Sequence, residues 1–130
     1  MLKFILLAII AVLVVTGCKA FGAEGSGFKS VSQKQAMELM RTEKNYIILD
    51  VRTPAEYAEG HIPKAILLPN ETIGSQPPVE LPNKEQLIMV YCRSGNRSKQ
   101  AAQKLAKLGY TNIVEFGGIN TWTGPIVKEK

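Results

Sequence analysis

Two kinds of apolar run alternate along this chain. Tyr46-Ile-Ile-Leu-Asp50-Val51 and Leu87-Ile-Met-Val-Tyr91 are short and almost unbroken, the pattern of strands buried on both faces. Phe28-Lys-Ser-Val31, Ala65 to Leu68 and Ile113-Val114-Glu115-Phe116 predict three shorter strands. Between them the period changes. Ser32-Gln-Lys-Gln35 is a capping box, and Ala36, Leu39 and Met40 then share one helical face to about Glu43. Thr53-Pro54-Ala55-Glu56 joins a capping hydroxyl, a proline suited to the first helical position and a glutamate that can reach back. Gly60 ends that short helix. Further on, Ala101, Ala102, Leu105 and Leu108 form an apolar face opposite Lys99, Gln103, Lys104 and Lys107, and Gly109 terminates the helix. Asn70 to Pro82 holds three prolines and a glycine and predicts a loop, while Gly117-Gly118 predicts a turn before Ile119 to Trp122. Strands alternating with helices predict an α/β sandwich with a central, mostly parallel sheet flanked by helices. Ligands of such sheets sit beyond the carboxyl ends of the strands, where Asp50-Val51-Arg52 and Cys92 both emerge.

The stretch Cys92-Arg93-Ser94-Gly95-Asn96-Arg97-Ser98 joins the most apolar strand to the best helix. Backbone N–H groups of such a loop and of the first helical turn converge beside the cysteine. With roughly +0.5 charge at the helix end, they suit an anion: a thiolate, a persulfide or a bound oxyanion. A free cysteine is often only a small buried hydrophobe. Here, arginines one and five positions later and a glycine three later favour an exposed, electropositive thiolate.

The first residues follow a different logic. Lys3 precedes twelve apolar residues, Phe4 to Val15, and then Thr16-Gly17-Cys18-Lys19. A spanning helix needs about 20 apolar residues and a signal core about 7–15, so this run reads as a signal core. Val15-Thr16-Gly17-Cys18 resembles a bacterial lipobox, with Cys18 lipidated as the mature first residue; ordinary cleavage or a short anchor are the alternatives. The expected division is residues 1–17 as a lipoprotein-type signal peptide, 18–27 as a glycine-rich tether and 28–130 as the folded domain. The expected location is outside the cytoplasm, lipid-anchored to a bacterial membrane and facing the periplasm or cell exterior. Once Cys18 carries lipid, it cannot pair with the chain's only other cysteine, and Cys92 is left a lone thiol in an oxidising compartment.

Charge narrows the partners. Of 130 residues, 16 are basic and 11 acidic, a net charge of +5 without a clustered basic patch, so nucleic acid is not an expected ligand. Loss of residues 1–17 removes Lys3 and lowers the net charge to +4. A small anion site accounts for part of the surplus, and a monomer is the expected state. Neither a metal nor an organic cofactor is expected.

Three segments together resemble the rhodanese family of sulfurtransferases. They are Leu49-Asp50-Val51-Arg52 through Glu56-Tyr57 to Gly60-His61-Ile62-Pro63; the loop from Cys92 to Ser98; and Leu108-Gly109-Tyr110 followed by Phe116-Gly117-Gly118-Ile119 and Trp122. The resemblance runs from about Phe28 to Val127. It departs at Lys64, where the family usually has glycine, and in the shorter stretch after Trp122. It implies a three-layer rhodanese-like sandwich. It also implies a reaction in which Cys92 takes sulfane sulfur from a small anionic donor such as thiosulfate and passes it from a persulfide to a thiophilic acceptor. Arg93, Ser94, Gly95, Asn96, Arg97 and Ser98 would then bind substrate, with Asp50, Arg52 and Glu56 supporting the loop. Arg97 is expected on Glu56, leaving Arg93 for the donor. His61 and Trp122 are expected to be structural. A persulfide carrier or docking module for a protein partner is the alternative. A cysteine phosphatase fits less well, because its Cys-x5-Arg ring is one residue longer than Cys92 to Arg97.

Overall fold

A computed structural model of the protein describes residues 27–129. The signal segment, Cys18 and nearly all of the tether lie outside the described residues. The elements are β1 (Lys29–Ser30), α1 (Gln33–Thr42), β2 (Tyr46–Asp50), α2 (Pro54–Glu59), β3 (Ile66–Leu67), β4 (Leu87–Cys92), α3 (Asn96–Lys107) and β5 (Ile113–Gly118). Single 3-10 turns follow β3 (Asn70–Thr72) and β5 (Ile119–Thr121). The five strands form one sheet in the order β1-β5-β4-β2-β3, and every pairing is parallel. This is the three-layer α/β sandwich expected.

Local chemistry explains where the helices begin. Ser32 caps α1 and Thr53 caps α2; in each, the third helical residue (Gln35 or Glu56) bonds back to the cap, completing a capping box. Pro54 occupies the start of α2, where its missing N–H costs nothing.

Period two along the strands builds two cores. Leu49, Ile88, Val90 and Ile113 pack with Ala101, Ala102 and Leu105 of α3 and with Tyr110. Ile48, Met89, Tyr91, Val114 and Phe116 face the other way, against Ala36 of α1 and Ile62. Trp122 is half-buried and covers this second core, its ring 5.8 Å from that of Phe116. Tyr110 ties the first core to the long loop by donating to Leu81 O at 2.6 Å.

Three local expectations change. The segment after Pro69 is not plain loop: Asn70 is buried, donates to Gln100 and accepts from Lys104, and a helical turn forms around it. Gly117 and Gly118 belong to β5 rather than to a turn. Val90 pairs with Glu115 but Cys92 with Gly118, so β5 carries an extra residue there and bulges beside the cysteine. Cys92 itself is the last residue of β4 instead of the first of the loop.

Candidate active site

Parallel pairing places the ends of β2, β4 and β5 at one edge, and the site forms there. Cys92 ends β4 and is fully buried, at 0% exposure. That corrects the expectation of an exposed thiolate: the loop after β4 and the first turn of α3 fold back onto the sulfur. Gly95 stands at φ +109 as the N-cap of α3, a backbone geometry that glycine adopts without strain. It turns its N–H onto Cys92 Sγ at 3.0 Å. The thiol in turn reaches Ser98 Oγ at 3.5 Å, one turn into the helix. Burial pushes the Cys92 thiol up. Hydrogen bonds from the Ser98 hydroxyl and from the Ser98, Gly95 and Ser94 amides outweigh it, and the thiol titrates below its ordinary value.

The loop is pinned from several sides. Asn120 N–H donates to Arg93 O at 3.1 Å. Gly118 presses so close that a Cβ there would lie 1.9 Å from the same oxygen, so no other residue fits without moving the loop. At its far end Arg97 meets Glu56 in a two-point ion pair, Nη1 to Oε1 at 2.8 Å and Nη2 to Oε2 at 3.1 Å. Arg97's guanidinium holds the Glu56 carboxyl down at about 2 against the opposing effect of burial, and the Thr53 N–H and hydroxyl add to the effect. Arg93, Ser94 and Asn96 are exposed. The Arg93 side chain makes no ion pair or hydrogen bond among the described residues and is free to meet an anion.

Asp50 and Arg52 are buried on one another. Asp50 Oδ1 accepts from Arg52 N and Nε at 3.0 and 2.9 Å, and Oδ2 accepts from Nη2 at 2.7 Å. Arg52 also donates to Gly60 O at 2.6 Å. Tyr91 completes the cluster: its hydroxyl donates to Asp50 Oδ2 at 2.6 Å and accepts the Ile62 N–H at 3.1 Å. Burial and the neighbouring carboxylate push the Tyr91 hydroxyl well above its ordinary value. These contacts lock the β2–α2 segment to β4, one residue from Cys92. Breaking such a buried pair costs about 3–5 kcal/mol. His61 is equally structural, its ring stacked on Tyr57 at 3.7 Å and its Nδ1 2.9 Å from Tyr57 O.

One participant gave little sign of itself in the sequence. Glu115 is 2% exposed, yet no cation pairs with it among the described residues. It accepts from Ser98 Oγ at 2.7 Å, Gly117 N at 2.9 Å and Ser30 Oγ at 3.0 Å. A lone charge inside Ile113-Val114-Glu115-Phe116 was the only available signal. Among the described residues no group of His, Cys, Asp and Glu is arranged to hold a metal ion.

A buried strand-end cysteine within a ring of backbone donors, on a five-stranded parallel sheet, defines a class of protein. The chain belongs to the rhodanese-like domain family, whose model matches residues 32–124. It is 40% identical over 92 residues to a sulfurtransferase of Allochromatium vinosum, covering 70% of this chain and 83% of that one. It is 34% identical over 80 residues to the thiosulfate sulfurtransferase PspE of Escherichia coli, covering 62% and 77%. Among solved structures, a rhodanese-like domain protein of Staphylococcus aureus superposes with a TM-score of 0.67 at 28% identity, covering 78% of this chain and 99% of that one.

Proposed function

We propose that the protein is a sulfurtransferase that carries sulfane sulfur as a persulfide on Cys92, with thiosulfate or a related anion as donor. The observation that carries this reading is Cys92 Sγ accepting the Gly95 N–H at 3.0 Å at a helix N-terminus. The relatives named as sulfurtransferases support it. The Cys92 thiolate attacks the outer sulfur of thiosulfate, the S–S bond breaks with its electron pair, and sulfite departs. The outer sulfur then sits where the converging amides stabilise its charge. Arg93 steers the donor's oxygens. A thiophile such as cyanide attacks that outer sulfur, and Cys92 leaves as thiolate.

Phosphate chemistry is disfavoured by a specific contact: Arg97, which would have to embrace phosphate oxygens, is engaged by Glu56. At the other end of the chain, the Lys3-led apolar run and Val15-Thr16-Gly17-Cys18 support a lipid anchor on Cys18. Intact-protein mass spectrometry before and after thiosulfate tests the catalytic reading. Gain of one sulfur on the wild type, reversed by cyanide and lacking in Cys92→Ser, is the expected result. No gain would refute it.

A further inference from the structure

Beside the sulfur loop an anion and a cation face one cavity and do not meet. Glu115 of β5 and Lys99 of α3 both line a cavity of about 420 Å³, within the ~300–1,000 Å³ range of small-molecule sites. No ion pair joins them, and neither is paired with another charge among the described residues. Glu115 is 2% exposed, so its carboxylate depends on the bonds it accepts. Ser98 Oγ and Gly117 N donate to Oε2 at 2.7 and 2.9 Å, and Ser30 Oγ donates to Oε1 at 3.0 Å. Two carboxylate oxygens offer about four acceptor positions, which leaves one open on Oε1. On the other wall, the Lys99 ammonium and the Ser94 hydroxyl are exposed and make no side-chain hydrogen bond among the described residues.

We propose that this cavity is a subsite for a small zwitterion, with an ammonium and a carboxylate a few bonds apart, and that the sulfur acceptor is an α-amino-acid thiol. The ammonium donates to Glu115 Oε1, and the carboxylate takes the Lys99 ammonium and the Ser94 hydroxyl. An anion alone meets Glu115 and a cation alone meets Lys99, so the two walls select against singly charged thiols.

Position supports the acceptor role. Ser94 and Gly95 line the cavity and also belong to the sulfur loop, where the Gly95 N–H lies 3.0 Å from Cys92 Sγ. The outer sulfur of a Cys92 persulfide stands about 2 Å beyond Sγ. The acceptor's thiol first loses its proton to solvent, and its thiolate attacks that outer sulfur. A new S–S bond forms, the old one breaks with its electron pair, and Cys92 leaves as thiolate while the acceptor departs as a persulfide. Glu115 and Lys99 touch the acceptor away from the reacting sulfurs and set its identity.

The acceptor assignment rests on the persulfide reading of Cys92, but binding in the cavity does not, so the test begins without a sulfur donor. Calorimetry on the full-length chain compares S-methylcysteine, which carries both charges and no thiol, with 2-(methylthio)ethylamine and 3-(methylthio)propionate, which carry one each. S-methylcysteine is expected to bind about tenfold more tightly than either, the worth of one charge-assisted hydrogen bond. Glu115→Gln is expected to remove its advantage over the propionate. Lys99→Gln, a surface change, is expected to cut its advantage over the amine about two- to fivefold. Equal binding of the three, or none, overturns the subsite. Should Glu115→Gln fail to fold, the three-ligand series and Lys99→Gln decide alone. With thiosulfate supplied, the kcat/KM ratio of cysteine to 2-mercaptoethanol is expected to fall by the same factor in Lys99→Gln, since intrinsic thiol reactivity cancels between variants. Cyanide turnover with an unchanged ratio overturns the acceptor assignment. Binding without persulfide formation refutes the Cys92 reading, and with it the acceptor role, but upholds the subsite.

Discussion

Removing the Arg97 guanidinium is expected to make the protein's acid sensitivity change in a calculable way. Glu56 titrates at about 2 in the fold against an ordinary 4.5, with its two bonds from Arg97 as the largest cause. At about 1.4 kcal/mol per pH unit, that gap corresponds to roughly 3 kcal/mol. The pair is partly solvated, with the Arg97 side chain 31% exposed and that of Glu56 22%, and the Thr53 cap retains part of the effect. Screening and the surviving cap reduce the expected share of Arg97 to about 2 kcal/mol. The sign follows from the depressed folded value. The contribution is fully present above the unfolded value of 4.5 and is lost as pH falls from there toward 2.

Arg97→Ala is therefore expected to be about 2 kcal/mol less stable than wild type near pH 7, with the difference closing toward pH 2. Urea unfolding at a series of pH values reads both numbers, the midpoint giving stability and a constant slope confirming that the unfolding reaction is unchanged. Glu56→Gln in the same series is expected to flatten the acid limb similarly. A destabilisation by Arg97→Ala that is equally large at pH 7 and pH 2.5 would refute the ion-pair account. Arg97 would then act through packing of its stem over the loop.

Further perturbations separate the chemistry, the address and the backbone. Cys92→Ser is expected to abolish transfer of sulfur from thiosulfate to cyanide while its circular dichroism and thermal midpoint stay near wild type; retained turnover would remove Cys92 from the mechanism. Cys18→Ala is expected to release the protein from membranes or leave it unprocessed, and a soluble wild-type product starting beyond residue 18 would dismiss the lipid anchor. Lys64, the one non-glycine residue at positive φ among the described residues (+75°), is expected to stabilise by about 1 kcal/mol on replacement with glycine, read by urea unfolding. A glycine inserted between Asn96 and Arg97 is expected to end sulfur transfer and to permit at least weak vanadate binding, measured by calorimetry.

Elements whose causes are local were legible in the sequence. Both capping boxes, the strands Tyr46–Asp50 and Leu87–Cys92 and the helix after the loop follow from spacing and side-chain chemistry within a few residues. The departure at Lys64 was visible too, and its meaning is conformational: the chain needs a left-handed residue there, which glycine supplies freely and lysine does not. What escaped depends on register. Glu115 stood in the sequence only as the one polar residue of a short predicted strand, with nothing nearby to say what it faces. The parallel pairing of β5 between β1 and β4 turns it toward Ser98 and Ser30. Gly117-Gly118 read as a turn because two glycines usually mark one. Here Gly118 lets β5 pass close to Arg93 O, and Gly117 takes a φ of +93 inside the strand.

The cysteine illustrates the same limit at the level of charge. Two arginines in the sequence neighbourhood suggested that cations stabilise an exposed thiolate. In the fold, Arg93 is exposed with no partner among the described residues, and Arg97 is matched by Glu56, so neither guanidinium makes a hydrogen bond to Cys92. The donors that lower the thiol are the Ser98 hydroxyl and the amides of Ser98, Gly95 and Ser94. Backbone donors are present whatever the side chains, and what the sequence must supply is the geometry that aims them: glycine at position 95 for the turn, glycine at 118 for the approach, and Arg97 with Glu56 to hold the far end. Donors that converge on a point serve whichever sulfur occupies that point, the Cys92 thiolate before transfer or the outer sulfur of the proposed persulfide after it.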